Sequence, residues 1–164
     1  LTIHGGSLRL FACVTGAHTV RPSVAALLAE EQRKGLDGLS FYQSFAARVR
    51  ELKTSLVTQI TGLRRASHAI AAYGASAKGS TLLNYYGLGP AQLDFVVDRS
   101  TYKQGRLTPG THLPILPPEE LLARRPAYTL LLTWNFADEI LAQQEAYRAA
   151  GGKFILPIPR VTMV

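Results

Sequence analysis

Apolar residues follow two different rhythms along the chain, and the rhythm changes near residue 67. Before that point the apolar positions mostly recur every three or four residues, whereas after it short continuous apolar runs alternate with amphipathic segments. Continuous apolar strands alternating with helices are typical of a parallel sheet that is covered on both faces. We therefore predict an α/β fold, a small Rossmann-like and mostly parallel doubly wound sheet with helices on both faces.

The part before residue 67 predicts one strand and two helices. Residues 1–14 predict a strand, because alternate positions are apolar around a double glycine. A helix is predicted over residues 21–35, with Pro22 near its start and Gly35 at its end. A longer amphipathic helix follows, with Ser40 before it as its cap. Its apolar stripe consists of Phe41, Phe45, Val49, Leu52, Leu56, Ile60 and Leu63.

The part after residue 67 predicts four buried strands and three helices. The strands are "SHAIAAY", "LDFVVD", "YTLLLTW" and "KFILPIP". The helices are "STLLNYYG", ended by Gly87, then "PPEELLA", and finally "FADEILAQQEAYRAAGG". This order divides the chain into a terminal strand segment (1–20), a helical connector that packs on the sheet (21–66) and the sheet domain itself (67–164).

Composition narrows the class of protein. The chain of 164 residues carries 18 Lys and Arg against 11 Asp and Glu, a net charge of +7 that suits phosphorylated small molecules or nucleic acid. No basic stripe with interleaved aromatic residues is present, so nucleic acid is the weaker candidate. The single Cys13 excludes a disulfide framework and indicates a reducing, cytoplasmic location. No apolar run is long enough for a membrane span, and no metal-ligand spacing occurs.

The segment "YGASAKGSTLLN" contains the first candidate site. Gly74 follows a strand and a helix begins near Ala77, so unpaired backbone N–H groups at this turn attract an anion. Ser76, Ser80 and Lys78 add hydroxyl donors and a positive charge. The segment differs from G-x-G-x-x-G at Ser76, from the Walker pattern because Lys78 precedes Gly79, and from G-x-S-x-G by one residue. A tight turn without any ligand is the alternative.

Three further groups of residues lie near the same predicted sheet edge. Asp98 ends the second strand, where an acid binds ribose in dinucleotide folds, although it could instead pair with Arg99. The loop from Arg99 to His112 offers groups that suit stacking on a base and clamping a diphosphate. Those groups are Tyr102, Lys103, Arg106 and His112. Trp134 and Asn135 end the third strand, where Asn135 either contacts ligand or only caps the next helix.

Four segments in this order resemble one known family. "GASAKGSTLLNYYG", "DFVVDRSTYKQGRLTPGTHLPI", "LLLTWNFADEIL" and "GGKFILPIP" are similar to the C-terminal domain of the S-adenosylmethionine-dependent sugar C-methyltransferases, which methylate a ring carbon of nucleotide-linked deoxysugars. The resemblance covers the chain from about residue 20 to its end. "HGGSLRLF" further resembles the last strand of the methyltransferase domain upstream.

The resemblance implies a larger parent enzyme, of which this chain is a piece. The parent would have a zinc-binding N-terminal domain and a domain that binds S-adenosylmethionine, and the present chain would be inactive alone. Its implied role is to anchor a nucleoside-diphosphate sugar, with residues 74–80 (including Ala75 and Gly79) at the phosphate and Lys103, Arg106 and His112 nearby. His4 would face the shared cleft, where it orients substrate or helps remove a proton.

Two other classes of function stay open at this stage. The first is a free-standing binding module for an NAD(P)-type nucleotide, with the phosphates at Gly74 and the ribose at Asp98. The second is a nucleic-acid binder attracted by the net charge of +7.

Overall fold

The computed structural model describes residues 6–164, which divide into two compact units, one ending at Glu51 and one spanning Leu52–Val164. In the first unit, helix α1 spans Pro22–Arg33. Among its described residues none is buried. The predicted first strand is wrong where it can be checked, since residues 6–14 contain no strand. The described part of the first unit contains no other strand with which these residues could pair, and an unpaired strand is not stable in water.

Helix α2 spans Leu39–Arg65 and matches the predicted amphipathic helix. It begins one residue before Ser40, which therefore lies in the first turn instead of preceding the helix. In the second unit, Leu56 and Ile60 of this helix are fully buried. The C-terminal part of the apolar stripe thus packs in the core on one face of the sheet.

The second unit contains a six-stranded sheet with the strand order β3-β2-β1-β4-β5-β6. Five strands are parallel and β6 is antiparallel to β5, so the predicted fold class is confirmed. The strands are β1 Ile70–Tyr73, β2 Val96–Val97, β3 Ile115–Leu116, β4 Tyr128–Leu131, β5 Lys153–Leu156 and β6 Thr162–Met163. The sequence pattern did not predict β3 and β6 as strands of the sheet.

The remaining helices cover the two faces of the sheet. They are α3 Ala77–Tyr86, α4 Glu120–Arg124, α5 Ala137–Gln143 and α6 Glu145–Ala149, with a 3₁₀ turn at Trp134–Phe136. The one helix predicted after β4 is therefore three short pieces, and it breaks at Gln144, whose φ of −101° and ψ of 28° are not helical.

Alternate residues of the strands build one hydrophobic core on each face. Ile70, Ala72 and Leu130 pack with α2 and α3, whereas Ala71, Tyr73 and Leu131 pack with α4, α5 and α6. The strand order reverses between β1 and β4, because the chain leaves β1 toward β2 and later returns to β4 on the other side. Such a switch point marks the crevice at the carboxyl ends of the strands where α/β proteins bind ligands.

Candidate functional site

The Gly74 turn is built on two glycines that larger residues cannot replace. Gly74 has φ +98°, and a Cβ there would lie 2.5 Å from the Thr133 methyl group. A Cβ on Gly79 would lie 2.8 Å from the Cβ of Leu132, which follows β4. The two glycines thus have the roles of the first and third glycines of a dinucleotide loop, a tight turn and close packing of helix on strand.

Ser76 occupies the place of the middle glycine and acts as the N-cap of α3. Its Oγ accepts a hydrogen bond from the Gly79 N–H at 3.0 Å, and its φ of −91° and ψ of 161° are extended. In dinucleotide loops the middle glycine lets the backbone approach the pyrophosphate. Here a side chain fills that place, so the close approach typical of NAD-binding loops is blocked.

The backbone N–H groups of this turn are only partly used within the protein. The Ala75 N–H donates to Asp98 Oδ2 at 2.7 Å, and the Ser76 N–H donates to the Gly74 carbonyl at 2.9 Å. In the described part of the chain, no hydrogen bond is formed by the N–H groups of Ala77 and Lys78. These two donors begin α3 and have no acidic side chain in the first turn, so they are the groups that an anion would meet.

Lys78 connects the turn after β1 to the turn after β4. Its Nζ donates to Asn135 Oδ1 at 2.9 Å and lies 5.3 Å from the centre of the Trp134 ring. The predicted residues Lys78, Trp134 and Asn135 are therefore brought together across the switch point. Asn135 does not cap the following helix, since no cap hydrogen bond is formed there.

Asp98 is an internal brace of this edge of the sheet. Its carboxylate accepts from the N–H groups of Ala75 and Ser100, at 2.7 and 2.8 Å, and from Lys103 Nζ at 3.2 Å. The side chain is only 13% exposed. With these bonds in place the carboxylate joins the turn after β1 to the loop after β2, and little of it is left for a ribose.

The loop from 99 to 112 is ordered by its own hydrogen bonds. The hydroxyl groups of Thr108 and Thr111 lie 2.7 Å apart, and Thr108 Oγ1 also accepts from the Leu113 N–H. At the tip, Asn84 of α3 donates to the Pro109 carbonyl at 3.0 Å. A Cβ on Gly110, which has φ +77°, would overlap the Asn84 side chain. The loop is thus fastened to α3.

The other predicted residues of this loop face solvent. Tyr102 is 77% exposed, with the Arg106 guanidinium 4.6 Å from the centre of its ring, and His112 is exposed with φ +55°. Within residues 6–164 no hydrogen bond or ion pair joins these three to the Gly74 turn. The hydroxyl of Ser80 is likewise without a hydrogen bond in the described structure. The predicted His4 lies outside the described residues.

A pocket of about 250 Å³ opens beside the turn, on the face covered by α5. Its wall includes Tyr73, Gly74, Asp98, Thr133 and Ile140. The hydroxyl groups of Tyr73 and Thr133 and the amide nitrogen of Asn135 are buried without hydrogen-bond partners. Tyr73 and Thr133 are not among the site residues predicted from the sequence, although both stand where an apolar strand run gives way to a turn.

The phenol of Tyr73 is held in its neutral form. Burial raises the pKa of Tyr73 above its ordinary value of 10.0, while the positive charge of Arg99 opposes that increase. The polar side chain of Gln144 also opposes the increase in this pKa. The geometry between this side chain and the Tyr73 hydroxyl is not that of a hydrogen bond. At neutral pH the group is therefore a neutral donor and acceptor.

A larger cavity of about 410 Å³ lies at the opposite edge of the sheet, next to Arg64, Arg65 and His68. Arg64 already pairs with Asp94 at 2.9 Å. This cavity lies at the amino ends of β1 and β2, away from the switch point, and no buried polar atom in it lacks a partner among the described residues. The carboxyl edge is the better candidate.

The described residues contain neither a cluster of metal ligands nor a helix that could span a membrane. No group of three or more His, Cys, Asp or Glu within residues 6–164 is arranged to hold a metal ion. Over the same residues, no helix combines the length and the apolar character needed to cross a bilayer.

Comparison with known proteins identifies relatives of the chain. Residues 2–159 match the model of the family described as C-methyltransferase C-terminal domain. Over 163 residues the chain is 39% identical to the C-methyltransferase NovU of Streptomyces niveus. The match covers 99% of this chain and 39% of NovU, so the chain spans about two-fifths of that relative's length. The resemblance seen in the sequence motifs is confirmed.

Proposed function

The chain belongs to the family of C-methyltransferase C-terminal domains, and we propose that it anchors a nucleoside-diphosphate sugar for a parent methyltransferase. The diphosphate would bind at the turn from Gly74 to Gly79, with the sugar directed toward the methyl donor. Methyltransferases of this family imply S-adenosylmethionine, whose sulfonium supplies the methyl group.

The observation that carries the proposal is the position of Lys78 beside two unpaired backbone donors. The N–H groups of Ala77 and Lys78 form no hydrogen bond within the described chain, and the ammonium is held 2.9 Å from Asn135 Oδ1 at the switch point. The ammonium has donors beyond its bond to Asn135, and the Lys78 side chain belongs to the same first turn of α3, so its charge suits the phosphate that these N–H groups would bind. Charge-assisted hydrogen bonds of this kind are about twice as strong as neutral ones.

A dinucleotide of the NAD(P) type suits the same turn less well. Such a ligand needs a glycine where Ser76 caps the helix, and a free carboxylate where Asp98 holds Ala75, Ser100 and Lys103. A nucleoside-diphosphate sugar carries the same diphosphate, but the unpaired N–H groups of Ala77 and Lys78 offer it a place in the first turn of α3 without a close approach at Ser76, and it does not require a carboxylate at Asp98. We therefore favour the nucleotide sugar.

The rest of the methylation chemistry would belong to the parent protein. We propose that S-adenosylmethionine binds mainly to an upstream domain, that zinc belongs to a further domain, and that this chain alone is inactive. In the first unit Leu10, Phe11 and Val14 are each at least 79% exposed, which suits a surface that packs on such a domain. His4 remains the candidate for orienting substrate or assisting proton removal.

Isothermal titration of the 164-residue chain with UDP-glucose and dTDP-glucose tests the anchoring role, with NADH as the competing ligand. Lys78→Ala should weaken binding of the nucleotide sugar roughly 10- to 100-fold, the range expected for a lost charge-assisted bond. Lys153→Ala is the matched control, because Lys153 is also exposed but begins β5 at the opposite edge.

Three results would contradict the proposal. One is a folded chain that binds neither sugar nucleotide. Another is a Lys78→Ala variant whose affinity equals that of Lys153→Ala. The last is tight binding of NADH without binding of the nucleotide sugars, which would favour the dinucleotide module instead.

A further inference from the structure

We infer that the pocket beside the Gly74 turn is a site for an uncharged nucleobase, recognised through the buried hydroxyl groups of Tyr73 and Thr133. The inference rests on the proposed anchoring of a nucleoside diphosphate and extends it to the other end of the ligand. It also differs from the sequence-based expectation, which placed the base on the exposed loop near Tyr102.

The charges of the pocket wall favour a neutral group. Asp98 and Glu139 contribute two carboxylates, while Arg99 contributes one guanidinium, which pairs with Glu139 at 3.5 Å. The Asp98 carboxylate also pairs with the Lys103 ammonium at 3.2 Å, so a diphosphate placed here would meet no unpaired positive charge among the described residues of the wall, whereas the positive Lys78 lies with the N-terminal end of α3. The base and the diphosphate of such a ligand are thus matched by two different parts of the carboxyl edge of the sheet.

The shape and surface of the pocket favour a ring. Its volume of about 250 Å³ equals roughly eight water molecules at about 30 Å³ each, which is the scale of a heteroaromatic base and not of a whole nucleotide. Phe136 and Ile140 supply apolar surface to the wall. A flat ring with a polar edge can cover this apolar surface and still present donors and acceptors.

The unpaired hydroxyl groups point to a missing partner. Buried polar groups in folded proteins nearly always form a hydrogen bond, and an unpaired one destabilises the fold. Here two of them belong to Tyr73 and Thr133, and both of these residues line the same pocket. A hydroxyl group both donates and accepts, so it can serve either a carbonyl or a ring nitrogen of a base.

Under the proposed function the sugar must lie outside the pocket, because it has to reach the methyl donor. The base is then the part of the ligand that stays bound in the pocket. Gly74 borders both the pocket and the turn, so base and diphosphate can be held at the same time.

Titration of the full chain with UDP, dTDP, ADP, GDP and inorganic pyrophosphate separates the two ends of the ligand. We expect at least one nucleoside diphosphate to bind about tenfold or more tightly than pyrophosphate, the scale of base stacking and burial. Tyr73→Phe and Thr133→Val should each reduce that preference by roughly three- to tenfold. Neither variant should change the affinity for pyrophosphate.

Thermal stability provides a second readout. Removing an unpaired buried hydroxyl should leave Tm unchanged or raise it by about 2–4 °C. The matched control is Tyr147→Phe, because the Tyr147 hydroxyl is also buried but is fully paired with Thr129 Oγ1 and the Pro126 carbonyl. That variant should lose stability and keep the wild-type preference among ligands.

The outcomes distinguish this inference from the proposed function. If pyrophosphate binds as tightly as every nucleoside diphosphate, and Lys78→Ala still weakens it, the base site is refuted while the anion site stands. If Tyr73→Phe and Thr133→Val lower Tm and leave the preference intact, the hydroxyl groups serve the fold and the inference is also overturned. If no phosphate ligand binds, both proposals fail.

Discussion

Replacing Asp98 with Asn tests whether this residue braces the site or binds a ribose. The carboxylate accepts three hydrogen bonds, two from backbone N–H groups at 2.7 and 2.8 Å and one from the Lys103 ammonium at 3.2 Å. The Asn side chain has only one oxygen, and its NH₂ group would face one of the N–H donors that now bind the carboxylate. We therefore expect Asp98→Asn to lower stability before any ligand is added.

The magnitude follows from the geometry around each oxygen. The less costly orientation puts the amide nitrogen at Oδ1, where the bond to the Ser100 N–H is lost, and keeps the oxygen beside Ala75. A hydrogen bond to a charged group contributes about 1.5–3 kcal/mol, and the remaining bonds also lose charge assistance. The pair with Lys103, whose side chain is 40% exposed, adds at most about 1 kcal/mol. The expected loss in the free energy of unfolding is about 2–4 kcal/mol.

Asp94 offers a matched control at the other end of the same strand pair. Its carboxylate accepts from the Ile70 N–H at 2.9 Å and pairs with Arg64, but the side chain is 35% exposed. Asp94→Asn should therefore cost less, about 1 kcal/mol. It should leave ligand affinity unchanged because it lies at the amino edge.

Urea denaturation measures both variants, and titration with a nucleoside diphosphate measures their affinity. Asp98→Asn should lose stability first and affinity as a consequence, since the turn at Gly74 loses its brace. A variant with wild-type stability and a large loss of affinity would refute this reasoning, because it would make the carboxylate a direct ligand of the ribose.

Three further outcomes follow from the packing. Gly74→Ala should lower the free energy of unfolding, measured by urea denaturation, by about 2–4 kcal/mol, because residue 74 has φ +98° and a Cβ there would clash with Thr133. Adding Thr133→Ala should recover only the part of this loss that is due to the clash. Gly152→Ala should lower Tm by several degrees, since its Cβ would overlap the ring of Tyr147, and an unchanged Tm would show that the ring can move. Burial raises the pKa of Tyr73 and of Tyr147 above 10.0, so the stability due to their neutral forms is complete below about pH 10 and declines as pH rises above it. Urea midpoints between about pH 8 and 11 measure that decline, which should be smaller in Tyr147→Phe.

The helices and strands that could be predicted are those whose own sequence shows a clear hydrophobic pattern. The buried strands β1, β4 and β5 are continuous apolar runs, and α2 shows a long stripe. β3 and β6 pair only two residues each and lack an uninterrupted apolar run such as the "FVV" that contains β2, so their strand character comes from neighbours and not from their own sequence. The break at Gln144 also escaped prediction, because the residues on both sides of it favour a helix.

The candidate site could be located from the sequence but not understood from it. The order of glycine, serine and lysine at residues 74–79 marks the turn correctly. Which N–H groups stay unpaired depends on Asp98, which is brought to Ala75 only by the pairing of β1 with β2. The role of Ser76 as a cap and the burial of the Tyr73 and Thr133 hydroxyl groups likewise depend on tertiary contacts.

The fastening of the loop 99–112 has a consequence for the thermodynamics of recognition. Asp98 and Gln104 secure its base, and Asn84 secures its tip through the Pro109 carbonyl. A segment that is already fixed at both ends loses little conformational entropy when a ligand arrives. Association at this edge should therefore show a small entropic penalty and a fast on-rate, as in rigid receptors, without the signature of coupled folding.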